Sequence, residues 1–486
     1  MVFFPSTKQA IEGVPMIPNP GLFFGHLLLM RDPDFRRVMH KFSVEHADSK
    51  GRCSFWMGNV AALSVTAAAD VQIVLKNSSH RSTFSLMTRH VEHFLGARSI
   101  AVLTGREWKT QRTAITKALH TTVSHEAHGR SVVSATQVLV DALLKKAETA
   151  APLQFELGEL MKLLTLDIFG QTAMNVNFGC CESLQPSLYA AAFDFLASEM
   201  MRRMTTGIID PSSQIYSIPT SRNRRQAQQR EFLQSYISDR ISERQQLEPK
   251  EFPNDLLTAM IQVKDLSEDE LVDTLLSLLF AGYETTASTL SYTIYLISRD
   301  ASVEQQCLKE IDRLDTISAK PSDYAYLQAV LMETLRLYPP VISTTRSIEK
   351  ELVLDGIPVP SGTYLYIPIW TIQRDPNNFS DPTEFLPERW VVADAHTGHW
   401  TRRDPPEHLG NVEAWIPFSA GARNCAGRAF AMHEMTLTLA VLLKNLRFQP
   451  PEDYDLIPYR EGLVQTPKGG LPVTVSKRPS RISSTF

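Results

Sequence analysis

The chain has 486 residues, 43% apolar and 21% charged, the balance of a globular protein with a sizeable core. Its net charge of −4 removes the electrostatic case for a nucleic-acid partner. Five scattered cysteines, with no C-x-x-C pair, argue against a disulfide framework or a zinc module and for a reducing compartment.

Pro15, Pro18 and Pro20 make the start of the chain extended and stiff. The run GLFFGHLLLM (21–30) follows with no basic segment before it. At ten residues it is about half the ~20 needed to cross a bilayer. The expectation is therefore no transmembrane anchor: a soluble protein, one touching a membrane by a surface patch, or a chain lacking its start. A helix is predicted near DPDFRRVMHKFSVEHA (32–47) and strands within CSFWMGNVAALSVT (53–66). From about 105 to 300 the pattern is mostly helical. Within GREWKTQR (105–112), Trp108 and Arg112 lie four apart on one helical face, as a stacked surface pair would.

The longest helix is predicted over Glu268–Arg299, opened by a Ser267-x-x-Glu270 capping box. Unbroken, it would run about 48 Å at ~1.5 Å per residue, and its apolar surface nearly all round calls for burial. Its middle reads Ala281-Gly282-Tyr283-Glu284-Thr285-Thr286, which lowers helix propensity and invites a local distortion. A carboxylate buried there needs a reason. The next helix, YAYLQAVLMETLRLYPP, carries a Leu327, Leu331, Leu335, Tyr338 stripe and ends at Pro339-Pro340. Glu333 and Arg336 share a face, and a surface ion pair would account for them. Short strands are predicted across ELVLDGIPVPSGTYLYIPIW (351–370). Arg389 lies in the turn FLPERW, Cys425 in the turn FSAGARNCAGRAFA ahead of a helix from about 426, and a terminal hairpin in 446–478. Cys53, Cys180, Cys181 and Cys307 read as small buried hydrophobes.

The spacing Phe418-x-x-Gly421-x-Arg423-x-Cys425-x-Gly427 resembles the haem-binding loop of the cytochrome P450 family. The Ala-Gly-x-Glu-Thr-Thr, Glu-x-x-Arg and Pro-Glu-Arg segments precede it in the family's order. The resemblance implies a mainly α cytochrome P450 fold, a large helical domain with a small β-rich subdomain. The whole chain (1–486) would be one domain, β-rich near 50–80 and 350–390. It implies haem b (heme b, iron protoporphyrin IX) with Cys425 as axial iron ligand, since a thiolate pushes electron density toward O–O cleavage. Gly421 would permit the turn, Gly427 the close approach of the porphyrin, and Phe418 would shield the sulfur. Arg423, Trp108, Arg112 and Arg346 resemble the family's propionate partners, and Ala281 its haem-side helix residue. Glu333, Arg336 and Arg389 resemble its structural charge network.

Glu284 and Thr285 match the family's acid–alcohol pair, which delivers protons during O2 activation. Their presence favours monooxygenation over a peroxide-rearranging isomerase or dehydratase, or a non-catalytic haem protein. A small apolar substrate, O2 and electrons from NADPH through a separate partner, NADPH-cytochrome P450 reductase or another donor, are implied. Arg428 and Lys444 could face such a partner, although ordinary surface charge accounts for them equally. Phe94, Phe280, Ala281, Ile342 and Leu463 fall where the family's substrate pocket is lined, which would suit a fatty acid, sterol or other lipid. A monomer is expected on the cytoplasmic side, soluble or peripheral to the endoplasmic reticulum.

Overall fold

The computed structural model describes residues 10–18, 26, 35–57, 60–78, 85–124, 126–149, 152–206, 218–263, 266–315, 319–403, 412–459 and 464–479. Leu463 and, except for His26, the apolar run 21–30 lie outside these residues. Among the described residues, no helix is long and apolar enough to cross a membrane.

In chain order come α1 (Phe35–Glu45), the antiparallel pair β1 (Arg52–Met57) and β2 (Val60–Val65), then α2 (Ala68–Asn77) and α3 (Ser85–Leu95). A helical stretch follows: α4 (Gly105–Ser124), α5 (Glu126–Thr149), α6 (Leu157–Phe169), α7 (Cys180–Ser183), α8 (Leu188–Thr206), α9 (Ser221–Gln245), α10 (Leu256–Ile261), α11 (Glu268–Arg299), α12 (Ala301–Arg313) and α13 (Ala325–Leu337). It is interrupted by β3 (Leu153–Glu156), a strand that the helical pattern did not announce. That strand pairs with the C-terminal β13 (Pro472–Lys477), which itself pairs with β10 (Leu446–Gln449), so a distant edge decides its conformation.

The two β-rich stretches meet in one sheet of order β1-β2-β7-β4, with β4 at Thr344–Ser347 and β7 at Tyr364–Ile367. The β2–β7 junction is parallel and the other two are antiparallel. Between β4 and β7 lies the short hairpin β5 (Leu352–Leu354) and β6 (Ile357–Val359). The last helix, α15 (Arg428–Asn445), follows the short α14 (Ile369–Ile372) and the hairpin β8 (Val391–Ala393) and β9 (Trp400–Arg402).

Helix α11 runs through the interior beside α6. Both halves of its capping box form: Glu270 N–H donates to Ser267 Oγ, and Ser267 N–H donates to Glu270 Oε2 at 2.8 Å. The helix is continuous from Glu268 to Arg299 through the Ala281–Thr286 segment. Thr285, Thr289 and Thr293 each donate their hydroxyl to the carbonyl four residues back, at 2.6, 2.9 and 2.7 Å, so the polar groups are satisfied inside an unbroken helix. Gly282 marks a close helix approach, since a Cβ there would lie 3.1 Å from the Phe169 ring. Helix α13 buries Leu327, Leu331 and Leu335 and stops at Leu337, before the Pro pair that excludes α backbone at its predecessor.

Candidate active site

Four of the five cysteines are buried and one, Cys425, is exposed; none is in a disulfide. Burial raises the pKa of the Cys180, Cys181 and Cys307 thiols and pushes Cys53 up to about 12, so these four stay protonated. The loop bearing Cys425 closes where Cys425 N–H donates to Phe418 O at 2.8 Å. It turns through left-handed backbone at Ser419 (φ 59°) and Gly421 (φ 68°). A Cβ on Gly421 would lie 1.9 Å from Leu75 O, so only glycine lets the loop rest on the end of α2. Gly427 caps α15, which begins at Arg428, two residues later than the sequence suggested. A Cβ on Gly427 would stand 3.9 Å from the sulfur of Cys425, so the glycine leaves space beside that sulfur.

Helix α4 clasps this loop. Trp108 and Arg112 do not stack on each other. The Trp108 ring lies under the Arg423 guanidinium, 3.8 Å from its centroid, while Arg423 also donates to Leu103 O at 2.7 Å. Arg112 donates to Asn424 O at 2.7 Å and to the Asn424 side chain. Burial lowers the pKa of Arg112, and the neighbouring Cys425 opposes that shift. From β4, Arg346 donates to Ser419 Oγ at 3.1 Å and is buried. Arg428 covers the Trp415 and Phe418 rings. Two arginines from separate elements, Arg112 and Arg346, thus converge on residues 419–424, which carry Arg423 themselves. Only Arg423 was local to the loop in sequence, and Asn424 and Ser419 carried no signal beyond their place in it.

Glu333 and Arg336 are not a surface pair: both are fully buried. Glu333 accepts from Arg336 Nε and Nη2 at 2.9 and 2.8 Å, Arg389 Nε at 3.1 Å, Trp390 Nε1 at 3.0 Å and Leu386 N–H at 3.0 Å. The remaining Arg336 donors reach Gln373 O, Pro382 O and Glu384 O. Gln373 extends the network, accepting from Ile416 N–H at 2.9 Å just ahead of the cysteine loop. Gln373 and Trp390 escaped the sequence reading because neither has a spacing that announces a role.

In mid-α11, Ala281 is exposed on an otherwise mostly buried helix, and Glu284 and Thr285 are half-buried beside it. Thr285 Oγ1 donates to Ala281 O, which leaves its oxygen lone pairs available to accept. Burial pushes the Glu284 carboxyl up to about 7, opposed by the Lys162 charge and reinforced by Asp194 and Glu159. Lys162 pairs with Glu159 at 3.0 Å and Asp194 at 3.6 Å; burial depresses its ammonium, but the two carboxylates outweigh burial and raise its pKa. Tyr283 OH donates to Asp194 at 3.1 Å. Lys162 and Asp194 were missed, although each is a charge set among apolar residues, in LGELMKLLTLDIF and LYAAAFDFLASEMM, and that was the available signal.

Phe430 and, at its edge, Ala426 and Phe280 belong to one apolar cluster that also holds Phe94 and Tyr283. Ile342 is buried as well. These donors fit a haem: one accessible thiol at the head of a helix, guanidinium groups around its loop for carboxylate substituents, and apolar and small side chains beside it. Among the described residues no group of three or more His, Cys, Asp or Glu side chains could hold a bare metal ion.

The sequence profile described as Cytochrome P450 matches residues 15–472. The chain is 25% identical to human "Cytochrome P450 4V2", over 97% of this chain and 91% of that protein. It is 27% identical to "Cytochrome P450 4d2" of Drosophila melanogaster (90% and 89% covered) and 26% identical to mouse "Cytochrome P450 3A11" (95% and 90%).

Proposed function

Because this chain belongs to the cytochrome P450 family, a haem b monooxygenase family of oxidoreductases that incorporate molecular oxygen, we propose that its Cys425 site hydroxylates a small apolar substrate, a fatty acid or other lipid. The observation that carries this reading is the accessible Cys425 in an arginine-braced loop, together with the titratable Glu284 beside Thr285. Bound through Cys425, haem b supplies the thiolate-ligated iron at which O2 is split.

The chain's own residues have distinct parts. The positive end of α15 and the loop backbone favour a deprotonated Cys425. Arg423, with Trp108 beneath it, Arg112 and Arg346 would hold the propionates of a bound haem, and Phe418 would shield the sulfur. Glu284, poised near neutrality, takes a proton from water and releases it next to Thr285 Oγ1, whose lone pairs order the water between them. Glu333, Arg336 and Arg389 hold the polypeptide beneath the loop without touching the reacting atoms. Electrons come from a separate NADPH-dependent reductase, to which Arg428, exposed beside the cysteine loop, offers a cation; Lys444 lies at the far end of α15.

The reduced carbon-monoxide difference spectrum tests the core of this reading. A strongly red-shifted Soret band is expected, and Cys425→Ser should abolish both the band and NADPH-dependent product. Full turnover by that variant would refute the ligand assignment.

A further inference from the structure

On the side of the molecule where α3 meets α9, a cavity of about 190 Å³ is lined by His93, Asn223, Gln226, Arg230, Glu231 and Gln234. Its polar groups are unbalanced. Gln226 is 2% exposed, and its amide Nε2 is buried without a hydrogen-bond acceptor among the described residues. Arg230 Nε is likewise buried without one. Both are donors, so the cavity is short of acceptors.

The neighbours do not correct this. His93 Nε2 lies 2.9 Å from Gln226 Oε1, which occupies the amide oxygen and leaves the amino group for the cavity. No carboxylate lies within ion-pair distance of Arg230 among the described residues. Glu231 is exposed at the rim. Asp273 of α11 acts on Arg230 only at longer range, and it already accepts from Arg98 N–H at 3.1 Å and Gln234 Nε2 at 3.4 Å. Arg230 and Arg203, both positive, each disfavour a charged His93. Two buried donors without an acceptor, one of them on a partly desolvated guanidinium, call for an oxyanion.

We propose that this cavity is a carboxylate-binding subsite, holding the head group of an amphipathic substrate whose alkyl chain extends along α11. Arg230 and Gln226 donate to the carboxylate oxygens. Asp273, which Gln234 touches, stands eight residues before Ala281 on α11, about 12 Å along the axis at ~1.5 Å per residue. The side chains that border that distance are apolar: Phe94, adjacent to His93, packs in one cluster with Leu276 and Leu279, with Phe280 at its edge, so an alkyl chain would lie against them. A medium-length alkyl chain anchored at Arg230 has the length to reach the level of Ala281 with its far end. This deepens the monooxygenase reading and rests on it only for the fate of the bound molecule.

Calorimetric titration of the haem-loaded full chain needs neither electrons nor O2, so it separates the two. Dodecanoate should bind about tenfold tighter than dodecan-1-ol, the margin of a charge-assisted contact. Arg230→Gln should erase that preference and leave the alcohol's affinity unchanged, and Arg230→Lys should restore part of it. Gln226→Leu, which removes no charge, should weaken dodecanoate severalfold. Equal affinity for acid and alcohol in the unaltered protein would overturn the proposal, as would equal loss of both ligands in Arg230→Gln. Acetate binding as tightly as dodecanoate would overturn the head-group role. Absence of the thiolate band or of turnover, with the carboxylate preference intact, would count against the Cys425 reading alone.

Discussion

Glu333 and Glu284 are both carboxylates on helices of the interior, and the fold treats them in opposite ways. Glu333 accepts hydrogen bonds from two arginines, an indole and a backbone amide, with no exposure to solvent. Glu284 accepts none among the described residues, and burial raises it to about 7. A carboxylate saturated with donors has no lone pair left for a proton relay and serves as structure. One left short of donors near neutrality can exchange a proton in the working range, as a catalytic acid must.

The contrast is broken most severely at Glu333. Glu333→Gln leaves two buried guanidinium groups without a counter-charge and should cost about 3–5 kcal/mol in denaturant unfolding, with loss of haem retention. A cost near that of a surface pair would mean the network relaxes in solution. Glu284→Gln should do the reverse: keep the fold and haem, but lower product formation by about 10²-fold.

The pH dependence sharpens this difference. The folded pKa of Glu284 lies above the ordinary 4.5, so folding favours the protonated form. The burial penalty is absent below about 4.5 and develops as pH rises through 7, so the unaltered protein should lose stability relative to Glu284→Gln over that window. Product yield should fall over the same alkaline limb, and the limb should be missing in the variant. Thr285→Ala should retain haem and NADPH oxidation while product per NADPH drops about tenfold in favour of peroxide. Unchanged coupling would remove Thr285 from the proton path. Lys162→Met has the smallest expected effect. Its charge lowers the Glu284 pKa, so the alkaline limb should move upward in pH with little change in maximal rate.

Features that were legible in the sequence are those enforced by neighbours in the chain. The Cys425 loop, the Ser267–Glu270 box and the Leu stripe of α13 each depend on spacing within one or two turns, and each formed as read. The burial of Glu333–Arg336 was not legible from the pair alone, because the acceptors that saturate Arg336 come from residues 373–384. Strand β3 was hidden for the same reason, its partner being β13 near the end of the chain. The mid-α11 segment erred the other way. Local propensity argued for a weak helix, and α11 continues through the segment with its threonine hydroxyls bonded back to the carbonyls four residues earlier.

The clasp of α4 on the cysteine loop also bears on the order of folding. Arg112 and Asn424 are 312 positions apart, and Arg423 reaches back 320 positions to Leu103. During synthesis α4 emerges long before its counterpart, so the Trp108 face waits unpaired while the helices between it and the loop condense. The clasp is among the last contacts to close, and prosthetic-group capture then reports that the whole chain has folded. Refolding followed by Trp108 fluorescence should show its final phase coinciding with haem uptake, and that phase should be missing from a chain stopped before Phe418.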